Sequence, residues 1–490
     1  MRLALIILLL MASAAWSAPR GTFRHAHNVG FGAASSLDPA SPGRVLQIIE
    51  KVQSRLVRPG VDGMPAPDLA TAWFPDETGT VWTFRIREGV RFHDGSTLDA
   101  GDVVYSLGRV IDPDRGSPAR AAVQMVESIA ATGPFTVRMT LSSPFADFPL
   151  QLMDPRLRII PEDAGDTVAR SGVGTGPFRV ERFNPDGITV LTAFEDYWEG
   201  PPRLARIEVI GVPDAQARLQ AFLAGQLDME RGIAPVLRRA LARSPRYQLL
   251  EIPTGNWMGL SFRNDVPPFD DMRVRRALRL VVDREEMLDL ALDGGGVISC
   301  DTPVAPNDQY RVAMDCPPDI ARARALLAEA GYPDGIDIKV HVSSLDQSWP
   351  VIGVAFQEQA ARAGIGVTLV NAAADGYWSQ VWMKKDAFAT SWGERPADQV
   401  LNEAFHSGAR WNESRYHNPE FDRLLEAARA ELDFVRRRAL YHAAQRLLIE
   451  TSGTLIPFHV TQLVVLSNRV THFDPVPNDA LRWHLVAVAD

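Results

Sequence analysis

The chain has 490 residues, 46% of them hydrophobic and 23% charged, the balance of a globular protein rather than a disordered or fibrous one. Its 51 basic and 60 acidic residues leave a formal charge of −9, which argues against a nucleic-acid partner, whose phosphates call for a basic face. The lysines are Lys51, Lys339, Lys384 and Lys385, and none follows a glycine, so the Gly-Lys step of a phosphate-binding loop is missing.

In chain order, Met1-Arg2 precedes an apolar run from Leu3 to Met11 and then the small residues of Ala-Ser-Ala-Ala-Trp-Ser-Ala-Pro. That is the pattern of a secretory signal peptide over residues 1–17, cut after Ser17. The run is shorter than the ~20 residues of a spanning helix, and no cysteine near the cut offers a lipid anchor. The alternation Val81-Trp82-Thr83-Phe84-Arg85-Ile86-Arg87 predicts a half-buried strand, as do Phe135 to Leu141, Ile188 to Phe194 and Ile207 to Ile210. Gly172-Val-Gly174-Thr-Gly176 leads into Phe178-Arg-Val-Glu-Arg-Phe, which reads as strand. A dinucleotide cradle needs a helix there, so that reading is rejected. Pro213 to Ala224 predicts a helix with Leu219, Phe222 and Leu223 on one face, stopped by Gly225. Asp319 caps a second helix that ends at Gly331. Asn418-Pro419 opens a third, with Phe421, Leu424, Leu425 and Ala428 at core spacing. The mixed order predicts an α/β or α+β protein.

Two cysteines, Cys300 and Cys316, read as a disulfide in an exported chain. The alternative is a metal site, for which two thiolates fall short of a four-ligand set. Neither HExxH nor GxSxG occurs, and the histidines are scattered. An exported hydrolase is the competing class, without a nucleophile–base pair or metal set to support it.

Several segments, taken together in this order, resemble the family 5 extracellular solute-binding proteins of ABC importers. They are Ser36-Leu37-Asp38-Pro39, Pro67 to Trp73, Thr83 to Gly95, Asp102 to Leu107, Gly174 to Phe178, Asp196-Tyr197-Trp198, Leu223 to Asp228, Pro268 to Leu278 with Asp283-Arg284-Glu285, Ala325 to Tyr332 and Asn418 to Asp422. Most of these read as scaffold. His93-Asp94-Gly95 fits a turn, Asp102 a helix start, and Arg273, Arg275 and Arg276 a charged helix surface.

The resemblance implies a two-lobed periplasmic-binding-protein fold, type II-like in its large three-domain variant, with the ligand cleft between lobes. It implies a discontinuous domain I over 20–45, 171–262 and 471–490, an inserted domain II over 46–170, and domain III over 263–470. It implies a periplasmic monomer without cofactor or enzymatic activity, which binds a small solute by lobe closure and delivers it to an ABC permease in the inner membrane. The implied ligand-lining residues are Val29, Gly30, Phe31, Gly32 and Ala33 on one side, and Tyr377, Trp378, Trp392, Gly393, Glu394, Arg395 and Asp398 on the other, with Trp411 as a further aromatic wall. Peptide binders of this family hold the ligand's amine with an aspartate just after such a tryptophan. Here Glu394 or Asp398 takes that place, and Arg395 either binds a carboxylate or neutralises Glu394. The expected ligand is a short peptide or amino-acid derivative; an opine, a sugar or a metal chelate is the alternative.

Overall fold

The computed structural model describes residues 18–27, 34–476 and 480–489. The expected signal peptide and the segment Val29 to Ala33 lie outside the described residues. Most of the longer helices begin where an aspartate or asparagine stands one position ahead of an apolar-periodic run. In α1 (Leu46–Val52) no such cap is present, but in α2 (Ala100–Ile111) Asp99 and Asp102 form a reciprocal capping box, with Oδ1 of Asp99 accepting from Gly101 N–H at 2.7 Å and Oδ2 of Asp102 from Asp99 N–H at 2.9 Å. Asp214, Asp271, Asp283 and Asp319 cap α3 (Ala215–Leu223), α4 (Met272–Leu280), α5 (Arg284–Leu292) and α6 (Ile320–Glu329). Further on come α7 (Ser348–Ala361), α8 (Ala397–Ala404), α9 (Pro419–Ala430), capped by Asn418, and α10 (Phe434–Thr451), capped by Asp433. Each cap satisfies backbone N–H groups that the helix leaves without partners.

The strands are β1 (Thr22–His27), β2 (Ala70–Pro75), β3 (Val81–Ile86), β4 (Val126–Gly133), β5 (Thr136–Leu141), β6 (Phe178–Arg182), β7 (Ile188–Ala193), β8 (Arg206–Gly211), β9 (Met229–Arg231), β10 (Tyr247–Phe262), β11 (Gly296–Ile298), β12 (Ile336–Ser343), β13 (Ile365–Ala372), β14 (Ala387–Trp392) and β15 (Thr454–Ser467). One long sheet runs in the order β13-β12-β14-β10-β15-β9-β1-β8-β7-β6, with β11 paired to β15. A separate sheet has the order β2-β3-β5-β4. In β3 the even-numbered Trp82, Phe84 and Ile86 are buried while their neighbours are not, the alternation that the sequence displays.

The long sheet joins two lobes. Its β6-to-β9 end packs Phe23, Ile49, Phe178, Ile207 and Val209 into one core, and the separate sheet encloses another around Trp82, Phe84, Val103 and Met139. Its β12-to-β14 end packs Val274, Leu278, Val340, Ile352, Phe356 and Phe388 into a third. The antiparallel strands β10 and β15 pass between these ends. Tyr247 to Pro253 pair with Ser467 to Thr461, Trp257 and Met258 with His459 and Phe458, and Leu260 and Ser261 with Leu455 and Thr454. The main break in register falls between Pro253 and Trp257, a bulge where the chain crosses from one lobe to the other.

Arg273 is exposed and paired with Asp271, but Arg275 is buried and does not belong to a charged surface. It donates to the carbonyls of Phe269 at 2.6 Å and Thr451 at 2.7 Å. Buried Arg279 likewise donates to Glu450 O at 2.8 Å. Both cations therefore sit at the carbonyl end of α10, where its dipole favours positive charge. His93 accepts Gly174 N–H at 3.3 Å and lies 3.0 Å from Gly176 O through Nε2. Burial pushes its ring down to about 4. It anchors the glycine-rich loop, whose Gly174 lies so near α1 that an added Cβ would stand 2.4 Å from Val52 O.

Cys300 and Cys316 are bonded, with 5.5 Å between their Cα atoms. Opening this loop with the double change Cys300→Ser, Cys316→Ser should lower stability by about 3 kcal/mol through the unfolded chain's regained freedom. Urea unfolding should show that loss, with ligand affinity unchanged because neither cysteine lines the cleft described next.

Candidate functional site

Between the lobes lies a cavity of about 1150 Å³, within reach of a small solute of several residues. One wall carries Glu50, Leu150, Met153, Arg156, Arg231 and Ile233. The other carries Asn256, Met258, Leu345, Asp346, Glu394 and Arg395. Stretches of β10 and β15 around Pro253 and Thr461 form its floor. The chemistry is mixed, with apolar surface interrupted by a few charges, and most of those charges are committed. Asp154 holds Arg156, Glu50 holds Lys51 at 2.7 Å, and Asp346 accepts Ser348 N–H at 2.8 Å.

Of the implied ligand residues, Glu394 and Arg395 line this cavity. They follow β14, whose end places Trp392 beside Trp257 of β10, the rings stacked at 6.2 Å. Arg395 donates to Glu403 at 2.8 Å and to Gly393 O at 2.9 Å, and its guanidinium lies 5.0 Å from the centre of the Trp392 ring. Glu394 is half-buried. Its Oε2 accepts Gly255 N–H at 2.9 Å, and its own N–H donates to Asn256 Oδ1 at 2.7 Å.

Three other residues stand differently from what the resemblance implies. Tyr377 is wholly buried. Its hydroxyl donates to Ala389 O at 2.6 Å, and its ring lies 4.9 Å from that of Trp349, so it packs the second lobe rather than facing a ligand. Asp398, in the first turn of α8, is 3% exposed. It accepts from Arg429 at 2.7 Å, from the Tyr441 hydroxyl at 3.0 Å and from Asn402 at 3.0 Å. Those bonds fill the carboxylate and tie α8 to α9 and α10, which corrects the expectation that Asp398 reaches the cleft. Trp392 is itself 8% exposed and donates its indole N–H to Glu413 at 2.9 Å. Trp378 and Trp411 are exposed; Trp378 meets Trp382 edge-on at 5.6 Å, and Trp411 meets Trp392 edge-on at 6.3 Å.

Glu413 is a residue that no sequence pattern marks. Its Oε1 accepts from Trp382, from Thr390 at 2.8 Å and from Trp392, so one buried carboxylate orients two indoles behind the cleft wall. Burial pushes it up to about 7, against the opposing pull of its three donors. Because the folded value lies above the unfolded one, the stability tied to the protonated form is complete below about 4.5 and is lost as pH rises through about 7. Wild-type unfolding midpoints should therefore fall between pH 5 and pH 8 relative to Glu413→Gln, which stays neutral. Parallel urea titrations of the two proteins check this, and parallel pH profiles would contradict it.

The sequence profile of the bacterial extracellular solute-binding proteins, family 5 Middle, matches residues 64–412. The chain is 28% identical over 468 residues to Heme-binding protein A of Haemophilus influenzae, covering 84% of this chain and 82% of that protein. It is 26% identical over 468 residues to the probable di/tripeptide-binding protein 5 of Pseudomonas aeruginosa, covering 87% of this chain and 88% of that one. HbpA2 from Haemophilus parasuis superposes with a TM-score of 0.85 at 24% identity, over 96% of this chain and 100% of that one. A mixed sheet crossing two lobes, a cleft at the crossing and a profile match along most of the chain converge: the chain belongs to the family 5 bacterial extracellular solute-binding proteins, the substrate-binding components of ABC transporters.

Proposed function

We propose that the protein captures a short peptide or amino-acid derivative through its positively charged amine and hands it, chemically unchanged, to an ABC permease. The observation that carries this reading is the placement of two acids. Glu394 stands in the cleft wall directly after the Trp392–Trp257 stack, whereas Asp398 is occupied by Arg429 and Tyr441. An ammonium taken out of water needs a fixed counter-charge, and Glu394 supplies one. Met258, Leu345 and Met153 offer apolar surface for side chains. The kinship to a probable di/tripeptide-binding protein agrees with this ligand class. Export after cleavage near Ala18, a periplasmic location and a monomeric state belong to the same reading, as does the expected division into three domains.

The test is a competition. The purified protein is offered a mixture of di- and tripeptides, half of them N-acetylated, and the retained species are read by native mass spectrometry. Free-amine peptides should be retained intact and the acetylated ones excluded. Equal retention of both, retention of neither, or recovery of cleaved peptides would overturn the reading.

A further inference from the structure

Glu394 is bonded to a place that an amine anchor has no need to touch. Its carboxylate accepts Gly255 N–H at 2.9 Å while its backbone N–H donates to Asn256 Oδ1 at 2.7 Å. Both partners belong to the stretch between Pro253 and Trp257 where β10 loses register with β15. That stretch is where the chain crosses between lobes, and its torsion angles set how the lobes sit relative to each other. The bulge is fastened to the opposite strand by the Thr254 hydroxyl, which donates to Val460 O at 2.7 Å and accepts Asn256 N–H at 3.2 Å. Glu394 fastens it from the other side, through a loop that belongs wholly to the second lobe. The fit is close. A Cβ added to Gly255 would stand 2.6 Å from Glu394 Cγ and 2.9 Å from Ala305 Cβ, so at this position the absence of a side chain is what lets the carboxylate reach the backbone.

We propose that Glu394 is a hinge brace that the ligand displaces. Without ligand, its carboxylate braces the crossing bulge through the bond from Gly255 N–H. An incoming ammonium competes for the same carboxylate and draws it away from Gly255 N–H, and the weakened bond frees the bulge to let the lobes close. One group thus reads the ligand's charge and reports it to the hinge, which couples occupancy to closure through differential contacts in the two states. A neutral or N-blocked solute that fits the cleft leaves the brace in place, so charge selection acts on closure as well as on affinity.

This inference rests on the reading of Glu394 as the amine partner, and its test is chosen to fail separately. Spin labels are placed at Val61 and Val354, both exposed and on opposite lobes, and interlobe distances are measured by pulsed electron resonance without ligand. Glu394→Ala removes the acceptor. Gly255→Ala puts a methyl group where the carboxylate must reach. Both should broaden the ligand-free distribution and shift it by a few ångström toward shorter distances. Glu394→Gln keeps an acceptor oxygen for Gly255 N–H and should retain the wild-type distribution, although it loses the charge. Wild-type distributions in both Glu394→Ala and Gly255→Ala overturn the brace, as does a shift in Glu394→Gln equal to that in Glu394→Ala. If Glu394→Gln leaves the affinity for free-amine peptides intact, the anchor reading falls, while the ligand-free distances still decide the brace.

Discussion

Glu394→Gln should weaken binding of a free-amine tripeptide by hundreds-fold while leaving the fold intact. The substitution is nearly isosteric and keeps an oxygen for the bond from Gly255, so what it removes is charge. In the closed cleft that charge faces an ammonium stripped of water, and truncating one member of a desolvated pair costs roughly 3–5 kcal/mol. At about 1.4 kcal/mol per tenfold, that is a loss of two to three and a half decades in affinity. Titration calorimetry measures it directly. A loss below tenfold would mean that the ammonium is held elsewhere.

Asp398→Asn should do the opposite, lowering stability without touching affinity. Asp398 forms the ion pair of Arg429 at 2.7 Å, and it also receives the Tyr441 hydroxyl. Burial alone raises the Tyr441 phenol, and the nearby Asp398 carboxylate raises it further, so the hydroxyl remains a donor. Asparagine loses the charge and one oxygen. The expected cost is about 3 kcal/mol, at the low end for a broken buried pair, because the Arg429 side chain keeps 36% of its exposure. The same cluster touches the first lobe, where Ala146 N–H donates to Arg429 O at 2.8 Å. Urea unfolding should show the loss and calorimetry on the folded protein an unchanged Kd. A weakened Kd at unchanged stability would return Asp398 to the ligand.

The pair Glu394 and Asp398 also marks how far the sequence could be read. Strands with two-residue alternation, such as Val81 to Ile86, and helices with an aspartate or asparagine cap, such as the one opened by Asn418-Pro419, are visible because backbone geometry repeats within a few residues. The disulfide is visible because few arrangements of two cysteines compete with it. Which of two acids four residues apart faces the cleft depends on partners far along the chain, Arg429 and Tyr441 for one and Gly255 for the other. Nothing in the local sequence names those partners. Tyr377 misleads for the same reason, since an aromatic residue after a strand suits a ligand wall and a core equally well, and only packing against Trp349 decides. Arg275 looks like surface charge until the end of α10 is found beneath it. Glu413 is invisible because its role is to receive two indoles far from it along the chain, Trp382 ahead of β14 and Trp392 at its end.

Recognition of a solute's ammonium through Glu394 is open to a double-mutant cycle. Wild type and Glu394→Gln are each titrated calorimetrically with one tripeptide retained in the competition and with its N-acetylated form. If the two groups meet, removing either costs about the same and removing both costs little more, so the losses are strongly non-additive. Additive losses, with Glu394→Gln weakening the acetylated peptide as much as the free one, would show that Glu394 does not hold the amine.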